Sequence, residues 1–235
     1  MNNTETGLPA PAILSVPERR TISALICNYN HAEYLDNAIN AVLMQTRRPD
    51  ELLLMDDGST DGSFAIMQRH AGKHPFIKAF RKERNEGYIK GIQQLTALAK
   101  GDYIHRGASD DYMLACCVEE LMGQAERHPE SGIVSGVLLN LCEADGRLDI
   151  LNVPGWRTGP IEPERYRREY LEAGDPRRSL APSTIFRRDA VNALGGWRDD
   201  LDSWEVTFLL HAAALKYGMC YVERPVYTWL SRAGA

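Results

Sequence analysis

The stretch Leu52-Leu-Leu-Met-Asp-Asp-Gly-Ser-Thr-Asp61 changes from wholly apolar to acidic and polar at its midpoint. Its apolar first half predicts a short strand buried on both faces, as in a parallel sheet. The Asp, Gly, Ser and Thr that follow are typical of a turn and of the N-terminus of a helix. Because ligands of open α/β sheets bind beyond the carboxyl ends of the strands, this turn is a candidate binding site.

The same change from strand to helix patterns repeats along the chain on both sides of this stretch. Short apolar runs predict strands at residues 22–27, 52–55, 76–80, 102–105 and 132–139. Apolar stripes with helical spacing predict helices at residues 35–43, 64–70, 88–99 and 113–127. This alternation predicts an α/β fold, with a mostly parallel sheet flanked by helices on both faces.

The pattern is interrupted at residues 142–182, which are rich in Gly, Pro and charged residues. We expect loops there, with one short helix at 163–172. The segment is either an irregular surface excursion or a cover for the substrate, since long loops in compact domains are often functional. A strand at 184–186, a helix at 206–217 and short strands at 219–222 and 226–230 complete the pattern.

Length, charge and cysteine content limit the classes of function. The 235 residues suit a single domain, preceded by a flexible lead-in at 1–20. A net charge of −5 argues against nucleic-acid binding, and no apolar run reaches the ~20 residues of a membrane span. Five cysteines without a C-x-x-C pair predict reduced thiols in a cytoplasmic protein. Peripheral contact with the inner face of the membrane stays open.

A second acidic pair, Asp110-Asp111, follows the predicted strand 102–105, just as Asp56-Asp57 follows 52–55. Each pair alone is explained by turn chemistry, but two pairs at equivalent strand ends favour a ligand site. Adjacent carboxylates repel unless hydrogen-bond donors or a cation compensate them. A hard divalent ion would do so, and it would also neutralise a diphosphate. Neither G-x-x-x-x-G-K nor G-x-G-x-x-G occurs in the sequence.

In their order and spacing, these and further motifs resemble those of family 2 glycosyltransferases. The motifs are Cys27-Asn-Tyr-Asn30, Asp56-Asp-Gly-Ser-Thr-Asp61, Asn85-Glu-Gly87, Ser109-Asp-Asp111, Phe186-Arg-Arg188 and Gly195-Gly-Trp197. The resemblance covers about residues 22–230. It implies a GT-A fold, a Rossmann-like sheet with a smaller acceptor-side subregion. We expect one domain at 21–230, with a nucleotide-sugar-binding half at 21–112 and an acceptor-binding half at 113–230.

The resemblance also implies an activity: transfer of a sugar, with inversion, from a nucleotide-diphospho-sugar to an acceptor hydroxyl, with Mg²⁺ or Mn²⁺. A UDP-sugar is the expected donor, and a saccharide or lipid-linked molecule the expected acceptor. Tyr29 would pack on the base and Asp57 would hydrogen-bond it, with Cys27, Asn85 and Gly87 beside them.

The same resemblance assigns the metal and the base. Asp111 would be the main metal ligand, and Asp110 would face the ribose or the metal. Glu205, at the start of the late helix, would be the general base, with Asp202 as the next candidate.

Three positions depart from the family pattern. Ala108 replaces the first Asp of the metal motif, Ile92-Gln93 stands where Arg-Asn is common, and Val206 follows Glu205 in place of an acidic pair. These departures leave open a non-catalytic nucleotide-sugar-binding relative. A sugar nucleotidyltransferase is a further alternative, but it would need a Gly-rich basic loop where this chain has Asn28-Tyr-Asn-His31.

Overall fold

The computed structural model describes residues 19–172 and 180–232. Within these ranges one sheet of ten strands is flanked by helices. The strands are β1 (Ile22–Asn28), β2 (Glu51–Asp56), β3 (Ile77–Arg81), β4 (Tyr103–Ala108), β5 (Tyr112–Met113), β6 (Ile133–Cys142), β7 (Leu148–Leu151), β8 (Gly159–Ile161), β9 (Thr184–Arg187) and β10 (Met219–Ser231). The helices are α1 (Ala32–Leu43), α2 (Ser63–Lys73), α3 (Tyr88–Leu98), α4 (Cys117–Arg127), α5 (Pro163–Tyr166), α6 (Arg188–Ala193) and α7 (Glu205–Tyr217).

Alternate residues of the central strands feed two separate cores, one on each face of the sheet. Ala24 and Ile26 of β1 pack into the core that α1, α2 and α4 cover. Leu25 and Cys27 point the other way, into the core that α3 and α7 cover. Every residue of β1 and β2 is buried, because side chains on both faces of these strands meet helices. The predicted α/β fold with helices on both faces is therefore confirmed.

The sheet runs in the order β3-β2-β1-β4-β9-β6-β10-β5. The first four strands are all parallel, as predicted for the first half. Beyond them β9 pairs antiparallel with both β4 and β6, so the sheet is mixed. The alternation of local patterns contained no sign of this insertion, because a four-residue strand can pair in either direction.

Two of the predicted elements change for identifiable reasons. The helix predicted from residue 113 begins at Cys117, because Tyr112 and Met113 pair as β5 with β10. The two predicted closing strands are one strand, β10, with irregular register around Pro225, which has no N–H for the ladder.

The segment predicted as loops contains β7 and β8, which pair with β6 and β10. The predicted helix at 163–172 is present as α5 followed by a π-helical turn, Arg167–Leu171. Residues 173–179 of this segment, and 1–18 of the predicted lead-in, lie outside the described residues. In the ranges that the structure describes, no helix is long and apolar enough to cross a bilayer.

The register of the parallel strands aligns their carboxyl ends. Asn28 of β1 lies opposite Asp56 of β2, and Cys27 lies opposite Ala108 of β4. The turns after β1, β2 and β4 therefore meet at one edge of the sheet. Strands from both sides of the proposed boundary at residues 112 and 113 belong to one sheet, so the sheet does not mark this boundary. The division of the domain into two halves stays a prediction.

Backbone segments pack closely at the opposite end of the sheet, where the parallel strands begin, and this packing leads to a prediction about stability. A Cβ on Gly101 would lie 2.5 Å from the backbone nitrogen of Ser23 and 2.8 Å from the carbonyl carbon of Ile22. We expect Gly101→Ala to destabilise the fold by about 1–3 kcal/mol, because backbone atoms cannot give way cheaply. Gly72→Ala, in α2 with open space around the new methyl group, is the matched control. It should stabilise the fold by about 0.5–1 kcal/mol. Urea unfolding of both variants checks this; equal stability would contradict it.

Candidate active site

The loop after β1 is held against the loop after β2 by side-chain hydrogen bonds. Asn30 has a positive φ of 53°, and its side-chain oxygen accepts a hydrogen bond from the backbone N–H of Thr60 at 2.8 Å. Its own backbone N–H donates to the hydroxyl of Ser59 at 3.0 Å. Tyr29 is thereby fixed at the sheet edge with 42% of its surface exposed, so its ring is free to stack on a planar ligand.

Cys27 is the next-to-last residue of β1, just before this loop, and its side chain is buried in the core beneath α3. Burial, reinforced by the nearby charge of Asp57, raises the pKa of the Cys27 thiol to about 12. The thiol is therefore a protonated packing group. Its predicted place at the nucleotide site remains a prediction.

Asp57 joins the end of β2 to the loop before α3. One carboxylate oxygen accepts a hydrogen bond from Glu86 N at 3.1 Å, and the other accepts one from Gly87 N at 2.8 Å. Asn85 supports the same turn, because its side-chain oxygen also accepts from Gly87 N. Gly87 has a φ of +94°, which favours glycine, and it caps α3. The structure therefore brings three predicted donor-site residues, Asp57, Asn85 and Gly87, together.

Lys82 was not predicted as a site residue. Its ammonium group lies 2.9 Å from the Asp57 carboxylate and 3.6 Å from that of Glu86, and its side chain is almost wholly buried. The charge of Asp57 is thus compensated by a buried cation as well as by two N–H groups. The neighbouring carboxylate of Asp56, fully buried, pairs with Arg81 at 3.2 Å. The repulsion expected within this acidic pair is relieved by separate partners.

The second acidic pair follows β4. Asp110 is partly exposed and accepts a hydrogen bond from Arg232 at 2.9 Å, while His31 lies 4.0 Å away. Asp111 is 7% exposed and accepts a hydrogen bond from the backbone N–H of Leu230 at 3.0 Å. Burial raises the pKa of Asp111 to about 7, and the charge of Asp110 adds to the effect.

The fit of a divalent cation at this pair depends on its donor set. Among the described residues, no group of three or more His, Cys, Asp or Glu side chains is placed to hold a metal ion. Asp110 and Asp111 offer carboxylate oxygens, which Mg²⁺ and Mn²⁺ prefer. The pair therefore fits a hard cation that takes its remaining ligands from diphosphate and water, as Mg²⁺ commonly does.

In the predicted acceptor-binding half, Glu205 is the first residue of α7 and is 3% exposed. Its Oε1 atom lies 2.7 Å from a guanidinium nitrogen of Arg106 on β4. Burial raises the pKa of Glu205, and the charge of Arg106 opposes this rise. Arg106 was not predicted as a site residue, although a charged residue in a central strand is itself a signal of a buried ion pair.

Asp202, the second candidate base, lies elsewhere. It has a φ of 47° inside the 3₁₀ turn Asp199–Trp204, which precedes α7, and its side chain is exposed. The structure therefore does not bring Asp202 and Glu205 to one buried position.

A cavity of about 260 Å³ lies between the end of β4 and the start of α7. Its walls include Arg106, Asp111, Pro182, Ser203 and Thr207. Ser203, two residues of the first turn of α7 and Asp111 therefore border one space, which is large enough for a sugar ring. Such a cavity can hold two reacting groups close together.

Curated proteins with similar sequences are glycosyltransferases. A cholesterol galactosyltransferase of Borreliella burgdorferi is 35% identical over 105 residues, which is 45% of this chain and 29% of that protein. The putative glycosyltransferase EpsE of Bacillus subtilis is 28% identical over 194 residues, 78% of this chain and 65% of that protein. The chain thus spans less than two thirds of the length of either relative.

Solved structures show the same fold. S. aureus TarS 1-349 in complex with UDP-GlcNAc matches with a TM-score of 0.75 at 19% identity, over 92% of this chain and 60% of that one. The mannosyltransferase PcManGT from Pyrobaculum calidifontis, in complex with GDP-Man and Mn²⁺, matches with a TM-score of 0.62 at 17% identity, over 91% of this chain and 57% of that one. The fold is GT-A.

The profile of the family described as Glycosyl transferase family 2 matches residues 23–194, which include β1 to β4 and both acidic pairs. With that match and the shared fold, the chain belongs to glycosyl transferase family 2.

Proposed function

We propose that this protein transfers a sugar, with inversion, from a nucleotide-diphospho-sugar to an acceptor hydroxyl. The observation that carries the proposal is the meeting of the turns after β1, β2 and β4 at one sheet edge. That edge presents an exposed aromatic ring, Tyr29, a fixed carboxylate, Asp57, and a second acidic pair beside the cavity. The base of such a donor would meet Tyr29 and Asp57, its diphosphate would meet the acidic pair, and its sugar would enter the cavity.

UDP is the nucleotide that we favour. Asp57 already accepts from two N–H groups and one ammonium, which leaves about one of the four lone-pair directions of its carboxylate free. The single ring N–H of uracil, which thymine also carries, would use that direction while the ring stacks on Tyr29, so the preference for UDP rests on the TarS complexes. The TarS structures contain UDP and UDP-GlcNAc, whereas PcManGT contains GDP-Man, so the fold accepts either base.

Asp111 and Asp110 would hold Mg²⁺ or Mn²⁺. When bound, the ion would neutralise the charge that develops on the departing diphosphate. The chain's own contribution is to keep Asp111 in place through the N–H of Leu230 and to keep Arg232 within reach of Asp110. Arg232 is thus a second cation near the position of the leaving group.

Glu205 is the proposed general base. Its carboxylate would accept the proton of the acceptor hydroxyl as that oxygen attacks the anomeric carbon and the nucleoside diphosphate leaves with the bonding electrons. The Oε2 atom of Glu205 is buried and has no hydrogen-bond partner among the described residues, so it keeps a free acceptor position, and its neighbours Val206 and Thr207 line the cavity. Asp202 is the alternative base.

The acceptor is proposed to be a saccharide or a lipid-linked molecule. Trp204, just before α7, and Phe208, in its first turn, are 66% and 42% exposed and offer apolar surface, and their sequence neighbours Ser203 and Thr207 line the cavity. Relatives are named for both kinds of product: a cholesterol galactosyltransferase and a chondroitin synthase of Escherichia coli. We place the reaction in the cytoplasm, with peripheral contact to the inner face of the membrane where the acceptor is a lipid.

A non-catalytic nucleotide-sugar-binding protein is the second candidate. Two observations favour it: Glu205 is engaged by Arg106, and Ala108 stands at a position where a further carboxylate would complete the acidic motif. Such a protein would bind the donor without turning it over, so binding and turnover must be measured separately.

The donor site is tested by calorimetry with UDP, GDP and dTDP, each with and without Mn²⁺. We expect UDP to bind, and to bind more weakly without Mn²⁺. In Asp111→Asn the amide oxygen can still accept from Leu230 N, but the negative charge is lost, so the Mn²⁺ dependence should disappear. Asp149→Asn, on β7, is the control carboxylate and should bind like the wild type. If none of the three nucleotides binds to the folded protein, the proposal that this site binds a nucleotide-sugar donor is wrong.

The base is tested by replacing each candidate carboxylate with its amide. Glu205→Gln should slow UDP release from UDP-GlcNAc by about 10²–10⁴-fold, the usual contribution of a general base, and leave UDP affinity unchanged. Asp202→Asn, on the exposed turn, should change the rate little. The opposite result would move the base to Asp202. A wild type that binds UDP but turns over no donor with water or saccharide acceptors would support the non-catalytic candidate.

A further inference from the structure

Arg106 packs against two aromatic rings. Its guanidinium carbon lies 4.7 Å from the ring centre of Tyr88 and 5.5 Å from that of Trp197. The Tyr88 hydroxyl donates to Gly107 O at 3.2 Å, so the first ring is fixed to β4. These rings restrict the guanidinium group to a narrow range of positions.

Trp197 is itself anchored by α3. Its indole N–H donates to the hydroxyl of Thr96 at 2.8 Å, and its backbone oxygen accepts from the side chain of Gln93 at 2.7 Å. Phe186 packs edge-on against its ring. The position of Arg106 therefore depends on α3, which begins at the predicted donor site, and on the loop that leads to α7.

The contact between Arg106 and Glu205 is a buried ion pair. The two side chains are 13% and 3% exposed, and the distance between them is 2.7 Å. A buried carboxylate would take up a proton unless a cation compensates it. Within residues 19–172 and 180–232, Arg106 is the charged side chain whose field acts on Glu205, and the phenol of Tyr88 is the other titratable group that faces it.

We propose that Arg106 is the positioning residue for Glu205. It fixes one carboxylate oxygen of Glu205 and keeps the group ionised behind the cavity wall that Arg106 forms, while the other oxygen stays without a hydrogen-bond partner among the described residues and would take the proton of the acceptor. Arg106 also lines the cavity, so the pair lies beside the space that an acceptor would enter. This inference rests on the proposed role of Glu205 as the base, and it assigns to an arginine of β4 a task that sequence motifs do not indicate.

The inference is tested with Arg106→Gln and Arg106→Lys, and with Arg147→Gln as the control. Arg147, just before β7, is an exposed arginine that also pairs with a carboxylate, that of Asp149, and neither residue lines the cavity. Two readouts are needed: the pH dependence of UDP release from UDP-GlcNAc, and the direct titration of Glu205 by NMR in protein with ¹³C-labelled glutamate. The signal of Glu205 is identified by its loss in Glu205→Gln.

Arg106→Gln should move the Glu205 midpoint to higher pH by about one unit or more, because an opposite charge in contact lowers a carboxyl pKa by that amount. The acid limb of the rate profile should move the same way. Arg106→Lys keeps the charge, so its midpoint should stay nearer to that of the wild type. Its rate should still fall, because an ammonium lacks the planar fork that orients the carboxylate. UDP affinity should not change in either variant.

An unchanged Glu205 midpoint in folded Arg106→Gln would overturn the inference, as would an Arg106→Lys variant with the wild-type rate. If Arg106→Gln does not fold, the double variant Arg106→Gln/Glu205→Gln, which removes both buried charges, should fold, and Arg106→Lys decides the role. Failure of the proposed function looks different: the wild type would show no turnover at any pH, while the NMR titration would still report whether Arg106 controls Glu205.

Discussion

The arrangement of the site depends on the compensation of buried carboxylates. Asp56, Asp57, Asp111 and Glu205 are each at most 7% exposed and lie at strand or helix ends that face the same side of the domain. A carboxylate removed from water must find donors or a cation, or it takes up a proton. Three of the four have a cationic partner, and Asp111 has a single N–H donor. Because each partner comes from another element, these contacts hold loops that are distant in sequence in one constellation.

Much of the first half of the fold could be predicted because its signals are local. Continuous apolar runs identify β1 and β2, and the helical spacing of Leu35, Ile39 and Val42 identifies the buried face of α1. The carboxyl ends of parallel strands then meet by geometry alone. That rule was sufficient to predict that the two acidic pairs, which follow β2 and β4, lie at the same edge of the sheet.

The second half was harder because its decisive contacts are between residues distant in sequence. Nothing in Thr184–Arg187 indicates that this strand would enter antiparallel between β4 and β6. Lys82 and Arg106 looked like ordinary charged residues until the structure showed that both are buried against carboxylates. Their partners lie 25 and 99 positions away in the chain, too far for any local pattern to pair them.

The departure at Gln93 has a physical explanation that links the two sides of the site. The side chain of Gln93 donates a hydrogen bond to the backbone oxygen of Trp197, whose ring packs against Arg106. Helix α3 thus begins at the turn that Asp57 organises and, through Trp197, supports the cation that faces Glu205. The pKa of Glu205 is set by its burial and by Arg106, which lies on another element and is itself packed against Trp197. In this chain the surroundings of Glu205 therefore depend on contacts of β4 and α3 as well as on the residues next to it in α7.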